Sequence, residues 1–216
     1  MIENNLIEEP MFFKQSKPAS IRLWHWLTFL FFLVSISTVV FGSTLFKTSN
    51  NISLVEDQVK EKGGEITKDQ ARGVAHEFSD KLWMLHKYLG YGLSILLIWR
   101  ILIEISLSKE KKISTRIKNA IQFKGVNDEK KHYLWVQYGY VFFYLIFFIM
   151  SLTGLILAYE DVKWLDPFHE PAGKIHEIVQ YGLYAYVVFH IGGVIRYDLT
   201  KYGGIVSRMI NGKSEL

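Results

Sequence analysis

Four stretches of this 216-residue chain are each apolar over more than twenty residues, and they restrict its fold more than any other feature. They cover residues 23–46, 82–107, 133–159 and 175–199. A helix needs about 20 apolar residues to cross the hydrocarbon core of a bilayer, which is longer than most helices buried in soluble proteins. The helices of a soluble bundle also carry a polar face, whereas these stretches are apolar on all sides. The sequence therefore predicts an all-α protein, a transmembrane four-helix bundle forming a single membrane domain over residues 1–216.

The charged residues between the stretches predict the orientation of the chain. Lys and Arg number three in residues 1–22, eight in residues 107–132 and four from residue 196 onward. The segments 47–81 and 160–175 instead contain more acidic than basic residues. Because Lys and Arg collect on the cytoplasmic side of membrane proteins, we expect both termini and the 107–132 loop in the cytoplasm. The net charge of +4 is spread over these flanks without a recognition motif, so no nucleic-acid partner is expected.

The first outer loop and the ends of the stretches fit the same arrangement. Thr67 is a suitable N-cap for residues 68–81, which predicts a short extracytoplasmic surface helix in that loop. Aromatic side chains that can lie at the level of the lipid headgroups cluster near the ends of the stretches: Trp24, Trp26, Trp83, Tyr133, Trp135, Tyr159 and Trp164. Membrane lipid is therefore an expected partner.

The chain has no cysteine, so any metal must be bound by histidine, carboxylate or methionine. Four of its seven histidines lie within the apolar stretches: His25, His86, His176 and His190. A side chain that can ionise or bind metal is costly to place inside a membrane. These four histidines are therefore candidates for a functional site.

The spacing and direction of the four helices group these histidines into two pairs. His176 and His190 are fourteen residues apart, which is about 21 Å along one helix and within about 40° of the same face. His25 begins the first span at the cytoplasmic side, where His190 also lies, whereas His86 and His176 both begin spans at the outer side. Pairs about 20 Å apart cannot share one tetrahedral zinc. Two pairs at two depths instead match the axial ligation of two b-type haems.

Each histidine taken singly has a simpler explanation. One histidine at the end of a membrane helix is more often an interfacial polar residue than a ligand. Only the grouping of the four histidines into two pairs at two depths favours haem. Of the remaining histidines, we interpret His76 and His169 as solvated. His132 is either an interface residue or a hydrogen-bond donor to a haem propionate.

Several other residues fit a haem site but have alternative roles. Gly90 and Gly182 would let a flat macrocycle approach the backbone, as would Gly192 and Gly193, although glycine also permits close helix packing. Arg100 lies fourteen residues after His86 on the same face. We predict that it pairs with a haem propionate, and an ion pair with Glu104 is the alternative. Arg22 and Arg196 could also bind propionates, or could only anchor the chain at the membrane surface.

The segment Arg22-Leu23-Trp24-His25-Trp26, His86 with Gly90 and Arg100, and the His176 to His190 spacing resemble the bacterial cytochrome b561 and nickel–iron hydrogenase b-subunit family. The resemblance covers roughly residues 20–200. It implies a four-helix bundle with two non-covalent haems b that exchanges electrons with the membrane quinone pool. It also implies the ligand pairs His25 with His190 and His86 with His176. The 35-residue segment 47–81 matches no subfamily motif, which leaves the electron donor open.

Two imidazoles on each iron disfavour oxygen chemistry at the metal, so electron transfer is the expected role. We expect an electron-transfer subunit of the bacterial inner membrane whose redox partner is a hydrogenase, a dehydrogenase or a cytochrome c. One alternative is a self-contained superoxide:quinone oxidoreductase, in which Lys81, Lys87 and Lys174 could form a cationic patch near the outer haem. The other is a haem-free membrane anchor. Arg100, Glu104 and His132 are candidates for quinone contacts from their depth alone.

Overall fold

The structure, a computed structural model, describes residues 17–122, 127–199 and 204–212, and within these ranges it is helical without any β-strand. The α-helices in chain order are α1 (Ala19–Ser43), α2 (Thr48–Glu61), α3 (Lys68–Ser106), α4 (Ile113–Gln122), α5 (Asn127–Ala158), α6 (Asp166–Leu199) and α7 (Ile205–Asn211). Short 3-10 helices occupy Lys109–Lys111 and Lys163–Leu165. The predicted all-α class is confirmed.

Helices α1, α3, α5 and α6, the last together with the 3-10 helix before it, form the four segments that are long and apolar enough to cross a membrane. These segments are Ala19–Ser43, Lys68–Ser106, Lys131–Ala158 and Lys163–Leu199, which confirms the prediction of four membrane-capable helices. Many of their large apolar side chains are exposed, for example Ile95, Leu145 and Phe189. Such side chains are stable in contact with lipid tails, and a helix satisfies its own backbone hydrogen bonds there.

Helix α3 begins where the sequence predicts a helix but is much longer than predicted. The Thr67 amide donates to Gln70 Oε1 (2.9 Å) and the Gln70 amide donates to Thr67 Oγ1 (3.3 Å), which is a capping box. The helix then continues to Ser106, so residues 68–81 form its first turns and are not a separate short helix. No proline interrupts this stretch, and one face of the extension is buried at Ala71, Ala75 and Ser79. The separate short helix of this segment is α2.

The chain divides into two compact units, and each of the four long helices contributes a section to both. The His25 unit comprises the described parts of Met1–Trp26, Trp99–Ile149 and Glu177–Leu216. The His86 unit comprises Leu27–Ile98 and Met150–His176. His190 belongs to the His25 unit and His176 to the His86 unit, so each unit contains one of the predicted histidine pairs.

Close packing between α1 and α3 in the His86 unit depends on Gly92. A Cβ added at Gly92 would overlap the ring of Phe31, whereas a Cβ added at Gly73 on the same helix would meet no atom within 4 Å. Adding volume to a packed position usually costs about 1–3 kcal/mol, while glycine-to-alanine exchange at an open helix position gains about 0.5–1 kcal/mol.

We therefore expect Gly92→Ala to lower the thermal unfolding midpoint of the detergent-solubilised protein and Gly73→Ala to raise it slightly. Circular dichroism during heating measures both variants. Equal midpoints for the two variants would show that the contact between Gly92 and Phe31 does not restrict the packing.

Candidate haem-binding sites

The His86 unit places the imidazoles of His86 and His176 face to edge. Their ring centroids lie 6.5 Å apart with an interplanar angle of 85°. His86 comes from α3 and His176 from α6, and both side chains are partly exposed. The ring of Trp83, one turn before His86, contacts that histidine edge-on at 5.6 Å.

Hydroxyl groups hold both imidazoles of this pair through Nδ1. Thr38 Oγ1 lies 2.9 Å from His86 Nδ1, with Ser35 Oγ at 3.3 Å, and Thr153 Oγ1 lies 2.9 Å from His176 Nδ1. The hydroxyl of Thr38 donates its proton to the Ser35 carbonyl (2.6 Å), and that of Thr153 donates to the Met150 carbonyl (3.3 Å).

The donation of the two threonine hydroxyls to carbonyls favours the tautomer of each imidazole that carries its hydrogen on Nδ1. A hydroxyl has one proton, so a threonine that donates to a carbonyl accepts from the histidine, and Nδ1 carries the hydrogen. The lone pair of a neutral imidazole is then on Nε2, the nitrogen left to bind a metal. A glycine makes room for one of the rings, because a Cβ at Gly154 would lie 3.2 Å from His176 Cε1.

The His25 unit brings His25 of α1 and His190 of α6 together with different neighbours. Their ring centroids lie 6.2 Å apart with an interplanar angle of 57°. The Trp26 ring meets His25 edge-on at 5.3 Å, and the Tyr186 ring lies parallel to His190 at 5.8 Å. His25 Nδ1 is buried and has no hydrogen-bond partner in the described chain.

Both pairs have the dimensions that one iron between two imidazoles requires. A metal–imidazole bond is about 2 Å long and the ring centroid lies about 1 Å beyond the nitrogen, so the two centroids should be about 6 Å apart. The described residues contain no group of three or more His, Cys, Asp or Glu side chains that could bind a bare metal ion. The two pairs therefore suit a centre that needs only two protein ligands, as an iron porphyrin does.

Arg100 is a buried cation of the His25 unit, and it forms an ion pair with Glu104, the predicted alternative to a propionate contact. Its side chain is 6% exposed, its Nη2 lies 2.9 Å from Glu104 Oε2 and its Nε donates to Tyr144 Oη at 2.8 Å. The guanidinium also lies over the rings of Tyr144 (5.1 Å) and Trp24 (5.8 Å). Arg100 Nη1 is buried without a hydrogen-bond partner in the described chain, so it can still donate to a further acceptor.

The surroundings of the other predicted cofactor-binding residues leave room for a bound group but do not identify it. A Cβ added at Gly90 or Gly182 would meet no atom within 4 Å. Arg22 donates from Nη1 to the Lys17 carbonyl at 3.0 Å, and Arg196 lies in the last turn of α6. Burial and the nearby positive charge of Arg116 lower the pKa of Lys17 to about 8, so basic groups are crowded at this end of the His25 unit.

The three remaining histidines lie outside both pairs. His76 is exposed, as expected, and lies 3.5 Å from Asp80. His169 is less exposed than expected, at 24% of its side chain, because its Nε2 is buried and its Nδ1 is 3.8 Å from Asp166. His132 stacks on Tyr197 with a centroid distance of 4.1 Å.

The Arg100–Glu104 pair predicts a non-additive mutational result. Removing one partner of a buried ion pair leaves an unpaired charge and costs about 3–5 kcal/mol, whereas an uncharged pair is tolerated. We expect Glu104→Gln to lower the unfolding midpoint strongly, and Arg100→Met with Glu104→Gln to recover part of the loss. Thermal unfolding of the two single variants and the double variant measures the coupling, and additive losses would contradict it.

The model of the prokaryotic cytochrome b561 family matches residues 17–212, which include all four membrane-capable helices and both histidine pairs. No curated protein and no solved structure matches the chain significantly. The family match is consistent with the resemblance of the histidine spacing and with the helical structure. It makes the chain a bacterial multi-pass membrane protein with the b-type haem and the membrane electron-transfer role of that family. The chain belongs to the prokaryotic cytochrome b561 family.

Proposed function

We propose that this protein is a di-haem b-type cytochrome that carries electrons across the bacterial inner membrane between an extracytoplasmic redox partner and the quinone pool. The observation that carries the proposal is the occurrence of two histidine pairs, one in each unit, with centroid distances of 6.2 and 6.5 Å. Both distances suit one iron between two imidazoles. The charge distribution supports a topology with both termini in the cytoplasm.

In this proposal His86 and His176 would hold one haem, and His25 and His190 would hold the other. Haem supplies one-electron redox chemistry when it is bound. With two imidazoles to hold each haem, oxygen chemistry at the metal would be disfavoured. Thr38 and Thr153 would hold their imidazoles in the tautomer that leaves the Nε2 lone pair free for the metal.

Arg100 is the strongest candidate for a propionate contact. Glu104 already neutralises its charge, but Nη1 is a buried N–H donor that needs an acceptor, and a carboxylate oxygen is a suitable one. Gly90 and Gly182 would admit the macrocycle to the helix surface, and Arg22 and Arg196 would hold propionates at the membrane boundary. Arg100, Glu104 and His132 all belong to the His25 unit, where we place the exchange with quinone.

The structure supports an electron-transfer subunit over the self-contained superoxide:quinone oxidoreductase. Superoxide is an anion, so such an enzyme benefits from unpaired positive charge near the outer haem. Lys81 Nζ lies 3.1 Å from Glu77, Lys87 Nζ lies 3.0 Å from Glu160, and Lys174 Nζ lies 2.7 Å from Glu170. Each lysine of the candidate patch is therefore neutralised by a neighbouring carboxylate.

The ligand assignment predicts the haem content of histidine variants. The purified protein should contain two haems b per chain, and His86→Ala, His176→Ala, His25→Ala or His190→Ala should each lower the content toward one. His76→Ala is the matched control because its ring is exposed and lies outside both pairs. The pyridine haemochrome assay with protein quantification measures the ratio.

A colourless wild-type protein would instead support a haem-free anchor. Full haem content in a ligand variant would remove that histidine from the assignment.

The subunit proposal also predicts which electron donors act on the isolated chain. The purified protein should show no quinone reduction driven by superoxide above the uncatalysed rate, because Lys81, Lys87 and Lys174 are each paired with a carboxylate. The assay follows quinone absorbance during enzymatic generation of superoxide. Rapid turnover that falls with ionic strength would favour the self-contained enzyme.

A further inference from the structure

We propose that the hydroxyls of Thr38 and Thr153 tune the haem of the His86–His176 pair and hold its midpoint potential below that of the His25–His190 pair. This inference rests on the proposed function, because it requires both histidine pairs to bind haem. It assigns a specific role to two threonines of α1 and α5, helices that provide no ligand to this pair.

The contacts of the two pairs differ at Nδ1. In the His86 unit each imidazole has a hydroxyl oxygen 2.9 Å from Nδ1, and each hydroxyl is turned by its own bond to a carbonyl so that it accepts. In the His25 unit, His25 Nδ1 is buried without an acceptor in the described chain. The His25 imidazole therefore differs chemically from the two imidazoles of the His86 unit.

A hydrogen bond from Nδ1–H makes an imidazole more basic at Nε2. A more basic ligand favours the ferric state over the ferrous state, since the ferric ion has one more positive charge to stabilise. Hydrogen bonding at the axial ligand therefore lowers the midpoint potential. Two such bonds act on the His86–His176 pair, in each of which the threonine hydroxyl donates to a carbonyl of its own helix and accepts from Nδ1–H.

The buried Arg100 in the His25 unit also favours a higher midpoint potential for the His25–His190 pair than for the His86–His176 pair. Arg100 is a buried cation that lies 5.8 Å over the ring of Trp24, the neighbour of His25 in sequence. A nearby cation favours the state with less positive charge and raises the potential, although Glu104 reduces this effect. The expected order of potentials makes electron transfer toward the His25 unit, and thus toward quinone, the downhill direction.

The test is a redox titration of Thr38→Val and Thr153→Val, followed in the α-band of the spectrum. Valine keeps the shape of threonine and removes the closer hydroxyl, so at His86 only Ser35 Oγ remains, 3.3 Å from Nδ1. At a fixed ambient potential near the midpoint, the ratio of reduced to oxidised haem should rise about five- to tenfold in each variant, and tenfold corresponds to about 59 mV for one electron. Only the component that disappears in His86→Ala should shift, and the EPR spectrum of the oxidised haem should change with it.

The controls separate tuning from a general effect on structure. Thr38→Ser and Thr153→Ser keep the hydroxyl and should restore the wild-type potential. Thr44→Val removes a hydroxyl that donates to the Val40 carbonyl (2.6 Å) and not to a histidine, and should leave both potentials unchanged.

The outcomes also separate this inference from the proposed function. If His86→Ala removes one component but neither valine variant moves it, the tuning role is wrong and the di-haem assignment stands. If His86→Ala removes no component, the di-haem assignment itself fails. A serine variant that behaves like the valine variant would show that the hydroxyl is not the group responsible.

Discussion

The fold depends on the cost of placing polar side chains in a membrane. An imidazole or a guanidinium without a hydrogen-bond partner is costly in hydrocarbon, because lipid tails offer neither donors nor acceptors. In the His86 unit each histidine has such a partner at Nδ1 in a threonine, and those threonines in turn bond to carbonyls of their own helices. These hydrogen bonds restrict the orientation of the two rings before any metal binds.

Each of the four long helices provides a different side chain to the His86–His176 pair. Helices α3 and α6 provide the imidazoles, and α1 and α5 provide the hydroxyls that hold them. Gly154 follows Thr153 directly and leaves space for the His176 ring, so one dipeptide of α5 both holds and accommodates the histidine. The His25 unit uses a different solution, in which aromatic rings of Trp26 and Tyr186 contact the histidines and Arg100 is paired with Glu104.

The sequence was sufficient to predict four membrane-capable helices and to group the histidines into two pairs. Both predictions follow from the regular rise of a helix along its axis. A run of apolar residues predicts a span by length alone, and helix direction fixes which ends share a depth. The continuous α3 was harder to predict, because a charged segment such as residues 68–81 is compatible with a separate helix and with an extension of the span. Only the buried face at Ala71 and Ala75 distinguishes the two cases, and burial is a property of the fold.

The hydroxyl partners could not be predicted from the sequence. Thr38 and Thr153 stand in apolar helices where most hydroxyls simply bond to a carbonyl one turn earlier, as Ser37 does. Their role appears only when α1 and α5 are placed beside the histidines. Arg100 shows the opposite case, since its two possible partners were evident from spacing, and the structure shows the pair with Glu104 while leaving Nη1 for another acceptor.

The central claim, that each histidine pair binds one haem, is tested most directly by locating iron in crystals of the purified protein. Anomalous diffraction at the iron absorption edge should show two iron sites per chain, one between His25 and His190 and one between His86 and His176. A single iron site, iron bound away from these imidazoles, or no iron in the folded protein would contradict the account.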